Sequence, residues 1–225
     1  MAEIKISLPV YKICYSLAFV VGMALIRGVT SVSEIGSAMQ QAMGVLAVVF
    51  CADTYMQEVQ NHREEVFGMY PMKHRVRAVY VRLGIQTVYL YGISVIGYGC
   101  FFWQQPSAAW DGDPAWVSFV MYLAAMPAML LFCGTLAMTA ANLLRNLWAG
   151  IGVGALIWFG LISSGGNELL GKWNVFSFSF RAIEETGNIR WLWGSGCSLL
   201  LTMAMLATVP AILARVPGGK KGERL

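Results

Sequence analysis

The stretch "GNELLGKW" sets Gly166, Gly171 and Lys172 at the GxxxxGK spacing with which a phosphate-binding loop surrounds a nucleotide. That chemistry also needs a Ser or Thr after the lysine to hold magnesium, and a strand before the first glycine. Trp173 stands in the hydroxyl's place and no strand pattern precedes Gly166. An intramembrane protease of the EExxxR type would need paired glutamates to activate water, with an arginine five residues after the first. Glu64-Glu65 has Met69 at that position, and Glu184-Glu185 has Ile189, with Arg190 one residue late. The two histidines, His62 and His74, lie away from any acidic cluster within an apolar segment, which argues against a buried metal or proton-relay site. Cys14, Cys51, Cys100, Cys133 and Cys197 sit in or beside apolar segments without CxxC spacing and read as small buried hydrophobes. No catalytic residue, metal ligand or cofactor is expected on this chain.

The elements that position these residues follow from composition. The chain is 57% hydrophobic and 12% charged, whereas a soluble domain carries about a quarter charged residues. It reads as a multi-pass protein of the cell membrane, in contact with the lipid bilayer. Apolar segments recur to the C-terminus, so no cleaved leader is expected. A bilayer core takes about 20 apolar helical residues. That ruler predicts an all-α fold with six transmembrane helices at residues 10–26, 38–52, 78–103, 115–141, 147–163 and 191–214.

Six spans divide the sixteen Lys and Arg unequally. Lys5, Lys12, Arg63, Lys73, Arg75, Arg77, Arg82, Arg145, Arg215, Lys220, Lys221 and Arg224 fall on one side; only Arg27, Lys172, Arg181 and Arg190 fall on the other. The positive-inside rule then places both termini in the cytoplasm and the acidic "QQPSAAWDGDP" loop outside. Arg82 and Arg145, near span ends, read as snorkelling topological anchors. The net charge of +4 reports topology, and no nucleic-acid partner is expected. Residues 1–225 form one transmembrane domain, with an extracellular loop at 164–190 and a cytoplasmic tail at 215–225.

Two features of the fifth span and the loop after it bear on packing. Gly150 and Gly154 form a GxxxG pair, which lets helix backbones approach closely in lipid; it suits intrachain packing and a subunit seam alike. In "NVFSFSF", Val175, Ser177 and Ser179 alternate with Phe176, Phe178 and Phe180. The segment fits a short interfacial helix or re-entrant segment, and its period of two also fits an extended strand.

The concentration of charge after the second span is the main functional signal. On a helical wheel, Tyr55, Met56, Val59, Val66, Phe67 and Tyr70 share one sector, while Glu58, Asn61, Glu64, Glu65 and Gly68 lie opposite. Thr54 and Gln57 have capping-box spacing, Pro71 ends the helix, and "KHRVR" follows. An amphipathic helix over 54–71 can rest on headgroups as an extension of the second span, or dock its apolar face into a groove on a cytosolic partner.

Six spans with both ends inside, and an acidic amphipathic helix followed by a proline and a basic entrance to the third span, resemble the permease subunits of ABC-2-type exporters. Glu58, Glu64, Glu65, Tyr70, Pro71 and Lys73 match the family's segment. The region before the first span is shorter than the connecting helix many relatives carry, and "FGMYP" replaces their leucine-rich turn.

The resemblance implies a coupling helix that meets a cytosolic ABC ATPase subunit through Tyr55, Glu58, Val59, Glu64, Glu65, Val66, Phe67, Tyr70 and Pro71. ATP and magnesium would be held by that partner. It also implies a second permease chain, identical or related, an outer helical element between spans five and six, and a hydrophobic or antibiotic-like peptide as cargo. The chain would then be a transport subunit without its own ATPase site, not an enzyme. Two other functions fit the composition: a membrane immunity or assembly protein that acts by binding, and a membrane-embedded enzyme.

Overall fold

The computed structural model describes residues 2–56, 70–104, 114–180 and 190–214. Among them the regular structure is helical throughout: α1 (Ala2–Ser7), α2 (Val10–Ile26), α3 (Val32–Cys51), α4 (Met72–Trp103), α5 (Ala115–Leu144), α6 (Leu147–Ile162), α7 (Ser164–Leu170) with a 3₁₀ turn (Gly171–Trp173), and α8 (Trp191–Ala214). Each of the six apolar segments of the sequence overlaps one of these helices, with α3 and α4 each starting six residues earlier than expected. Among the described residues, α3, α4, α5 and α8 are long and apolar enough to cross a membrane, and α6 joins them if it is counted with the piece bent 75° from it. At 17 residues α2 is shorter, about 25 Å long at 1.5 Å per residue.

Local chemistry places the boundaries. Pro71 and Pro114 occupy the N-cap positions of α4 and α5, where a missing N–H costs nothing. Between α5 and α6 the chain reverses in two residues. Arg145 adopts φ +50°, and the Asn146 side chain accepts from the backbone N–H of Trp148 and Ala149. The helix of the second predicted span, α3, starts at Val32 rather than near residue 38, because the polar side chains of its first turns find partners within the protein. Thr30 donates through its N–H and hydroxyl to Glu34, Ser37 donates to the Glu34 carbonyl, and Gln40 meets a partner described below.

The core forms where α5 packs between α3, α4, α6 and α8, around Met43, Phe50, Leu90, Tyr122, Met126 and Met129, all at most 1% exposed. Gly150 and Gly154 pack inside this chain. A side chain at Gly150 would collide with the Ala141 backbone, and a Cβ at Gly154 would lie 2.7 Å from Val48. Gly152, on the other face of α6, has open space beside it.

Residues 174–180 form neither a helix nor a strand. They are successive turns that re-enter the bundle, with Asn174 and Phe176 fully buried. Phe178 lies over Gly36 and Phe176 over Gly44, where a Cβ would come within 2.9 Å of both the Phe176 ring and Trp158. Gly44 is twelve residues beyond Val32 in α3, about 18 Å along the helix axis. Irregular backbone at such depth must be satisfied by protein. Asn174 donates to the Leu161 carbonyl and accepts from Phe176 N–H, Ser177 donates to the Trp191 carbonyl, and Ser179 donates to Gln40. The alternation of serine and phenylalanine thus separates hydrogen-bonding side chains from ring-packing ones.

Candidate functional site

An antiparallel hairpin of α2 and α3 brings the start of one helix beside the end of the other. The last carbonyls of α3 have no intrahelical N–H to accept from and carry the negative end of its dipole. Lys12, in the first turn of α2, fills that position. Its ammonium donates to the Phe50 carbonyl at 2.8 Å and to Asp53 at 2.5 Å, and lies 4.7 Å from the centre of the Phe50 ring. Lys12 is 2% exposed. An ammonium has three protons to place, and burial at this level is tolerated only because a carboxylate, a carbonyl and a ring face surround it.

The turn after α3 stays covered: Ala52, Asp53, Thr54, Tyr55 and Met56 are all buried. The Thr54 hydroxyl shares its one proton between the Cys51 carbonyl at 2.6 Å and Gln86 Oε1 at 2.7 Å. Gln86 in turn donates from Nε2 to the Ser7 carbonyl at the end of α1. Arg82, one helical turn earlier on α4, pairs with Glu3 at 2.6 Å, and Tyr89 hydrogen-bonds Ser16 of α2. Arg82, Gln86 and Tyr89 are spaced by four and three residues, so they share one face of α4. Phe50 and Tyr89 stack beneath this face with ring centres 5.5 Å apart.

Arg75 performs a second end-capping. It is 5% exposed and donates to the Leu213 carbonyl, in the last turn of α8, at 3.1 Å. One end of the bundle therefore gathers α1, the start of α2, the end of α3, the start of α4 and the end of α8. At the opposite end Gln104 donates to the Ala24 carbonyl, so α2 follows α4 along most of its length.

This hub was missed by reading Lys12 and Arg82 as topological charges. Arg82 does not snorkel: α1 covers it, and Glu3 supplies the counter-charge on the protein. A usable signal lay in the spacing, since Lys12 enters one apolar segment just where Asp53 leaves the next, and a hairpin must bring them together.

Of the residues predicted to meet a partner, Tyr55 is 4% exposed and belongs to the core, Tyr70 is 57% exposed, and Pro71 is an exposed N-cap. Glu58, Val59, Glu64, Glu65, Val66 and Phe67 lie outside the described residues, as do 105–113, 181–189 and the tail at 215–225. The GxxxxGK spacing forms no phosphate cradle. Residues 164–170 are helix α7, and Lys172 lies 5.6 Å from the ring centres of both Trp173 and Trp193. All five cysteines are free, and among the described residues no group of three His, Cys, Asp or Glu could hold a metal ion. The hub's charges are spent on pairing and helix capping, an arrangement suited to holding elements together rather than to bond-making chemistry.

Compared with protein-family models, curated proteins and solved structures, the chain matches none.

Proposed function

We propose that the chain is the membrane-spanning subunit of an ATP-driven exporter of the ABC-2 type, with ATP hydrolysed by a separate cytosolic subunit. The observation that carries this reading is how the segment between α3 and α4 is anchored. Its first residues are locked to α2 by Lys12–Asp53 and to α4 by Thr54–Gln86, and its last, Pro71, is the N-cap of α4. A displacement that reaches either anchored end is passed to α2, α3 and α4. Membrane insertion alone would not require buried charge at this point, where each unpaired ion costs several kcal/mol.

Six spans with both termini on the cytoplasmic side complete the proposal. The contacts of α2 run from the Lys12 end of α4 to Gln104, which supports a span of its own. Glu3 on Arg82 and Arg75 on Leu213 gather α1 and the end of α8 at the hub end. That end is also where the positive charges concentrate. In this reading the stripe that includes Val59, Val66, Phe67 and Tyr70 enters the ATPase, and Glu58, Glu64 and Glu65 meet the same subunit at the solvated rim of the contact. A second permease chain and a hydrophobic or peptide cargo belong to the same proposal.

The test is co-purification. The tagged chain, extracted from its native membranes in mild detergent, should retain a subunit carrying GxxxxGK[ST]. Replacing Glu64, Glu65 and Tyr70 together should release it. Protection of cells by this chain without any ATPase would instead favour an immunity protein that acts by binding.

A further inference from the structure

Two of the long helices contain an interior proline, Pro127 in α5 and Pro210 in α8. Proline has no N–H, so the carbonyl four residues before it loses its intrahelical donor. Those carbonyls belong to Leu123 and Leu206. In an apolar surrounding an unmatched carbonyl is costly, and some other donor must reach it. Both donors come from α4: Tyr91 donates its hydroxyl to the Leu123 carbonyl at 3.3 Å, and Tyr80 donates its hydroxyl to the Leu206 carbonyl at 3.0 Å. Eleven residues of α-helix are about 20° past three full turns, so the two tyrosines lie on nearly the same face of α4, about 16 Å apart.

We infer that α4 carries two hydroxyl latches, Tyr80 and Tyr91, which replace the missing proline N–H groups of α8 and α5 and tie the weakest turn of each helix to the position of α4. Each proline turn lacks one rung of its own ladder and is the place where its helix bends most readily. While both latches are made, α5 and α8 are held against α4 at those turns. Translation or rotation of α4 by a fraction of a turn withdraws both hydroxyls at once, because they share a face. Pro71 joins α4 directly to the segment proposed to receive the ATPase. On that reading, and only on it, the latches convert motion of the segment into bending of α5 and α8.

The latch itself is tested on the chain alone, by double-mutant cycles read as the apparent Tm of the purified full-length protein in detergent. Tyr80→Phe and Tyr91→Phe keep the ring and remove the hydroxyl. Pro210→Ala and Pro127→Ala restore the N–H that should satisfy Leu206 and Leu123. Each Tyr→Phe change should lower Tm by about 2 °C in the parent chain. It should cost nothing when combined with its matched proline variant, and should keep its full cost in the crossed pairs Y80F/P127A and Y91F/P210A. Equal loss in matched and crossed backgrounds, or no loss in the parent, would overturn the assignment. For transmission, Y80F/Y91F should still co-purify with the ATPase subunit, but the purified complex should show at least a several-fold loss of ATP hydrolysis; unchanged hydrolysis overturns that half. Failure of the wild-type chain to retain an ATPase sinks the exporter reading and leaves the stability cycles fully interpretable.

Discussion

Lys12 Nζ lies 2.5 Å from Asp53 Oδ1, and the two side chains are 2% and 12% exposed. Removing one member of such a pair leaves the other buried without its counter-charge, at a cost of about 3–5 kcal/mol. Lys12→Met and Asp53→Leu should each lower the thermal stability of the purified chain strongly. The double variant should be more stable than either single one. A double variant as damaged as the sum of the two would mean that the residues do not act as a pair.

The Gly150–Gly154 face of α6 offers a sharper contrast. Gly154→Leu drives a side chain into Val48 and Ala137, and overpacking of this kind costs about 1–3 kcal/mol. Gly152 faces open space, so Gly152→Ala should be neutral or stabilising by up to about 1 kcal/mol through helix propensity. Thermal melts of the two variants side by side check both signs.

Phe176 is fully buried over Gly44 and next to Trp158. Phe176→Ala should cost about 3–5 kcal/mol and loosen the re-entrant turns. A cysteine placed at Ser177, 9% exposed, reports this loosening directly. With Phe176 intact it should react slowly with a bulky maleimide, and in the Phe176→Ala background the rate should rise at least several-fold.

The helices were legible in the sequence because apolar runs and flanking prolines state them locally. Pro71 and Pro114 mark the starts of α4 and α5 as N-caps, and the segment at 191–214 coincides with α8 to the residue. The early start of α3 was not legible. Ser33 and Ser37 find partners locally, in Ser31 and the Glu34 carbonyl, but Gln40 looks too polar for a buried span until Ser179, more than a hundred residues later, supplies a hydrogen-bond partner. The alternation in 174–180 fitted two local structures because period alone cannot tell a strand from turns that point alternate side chains to different partners. Lys12 and Arg82 were misjudged for the same reason. A charge near a span end is a snorkelling anchor or a buried pair depending on which element covers it, and that is a tertiary fact.

The tyrosine latches make the same point from the other direction. Pro127 and Pro210 announce that Leu123 and Leu206 need outside donors, but only packing reveals that Tyr91 and Tyr80 of one helix supply both. In the parent background, Y80F/Y91F should melt lower than either single variant by a roughly additive amount, since two sites about 16 Å apart share no partner. Differential scanning of the three proteins measures it.

The account turns on the segment between α3 and α4 as the place where a cytosolic ATPase engages the bundle. The most direct measurement is a quantitative pull-down of the tagged chain from its native membranes, comparing the wild type with E64Q/E65Q/Y70A at matched expression and matched Tm. The account predicts a stoichiometric GxxxxGK[ST] subunit with the wild type and at least a tenfold loss of it with the triple variant. Retention of that subunit by the triple variant, or its absence from the wild-type complex, would contradict the account.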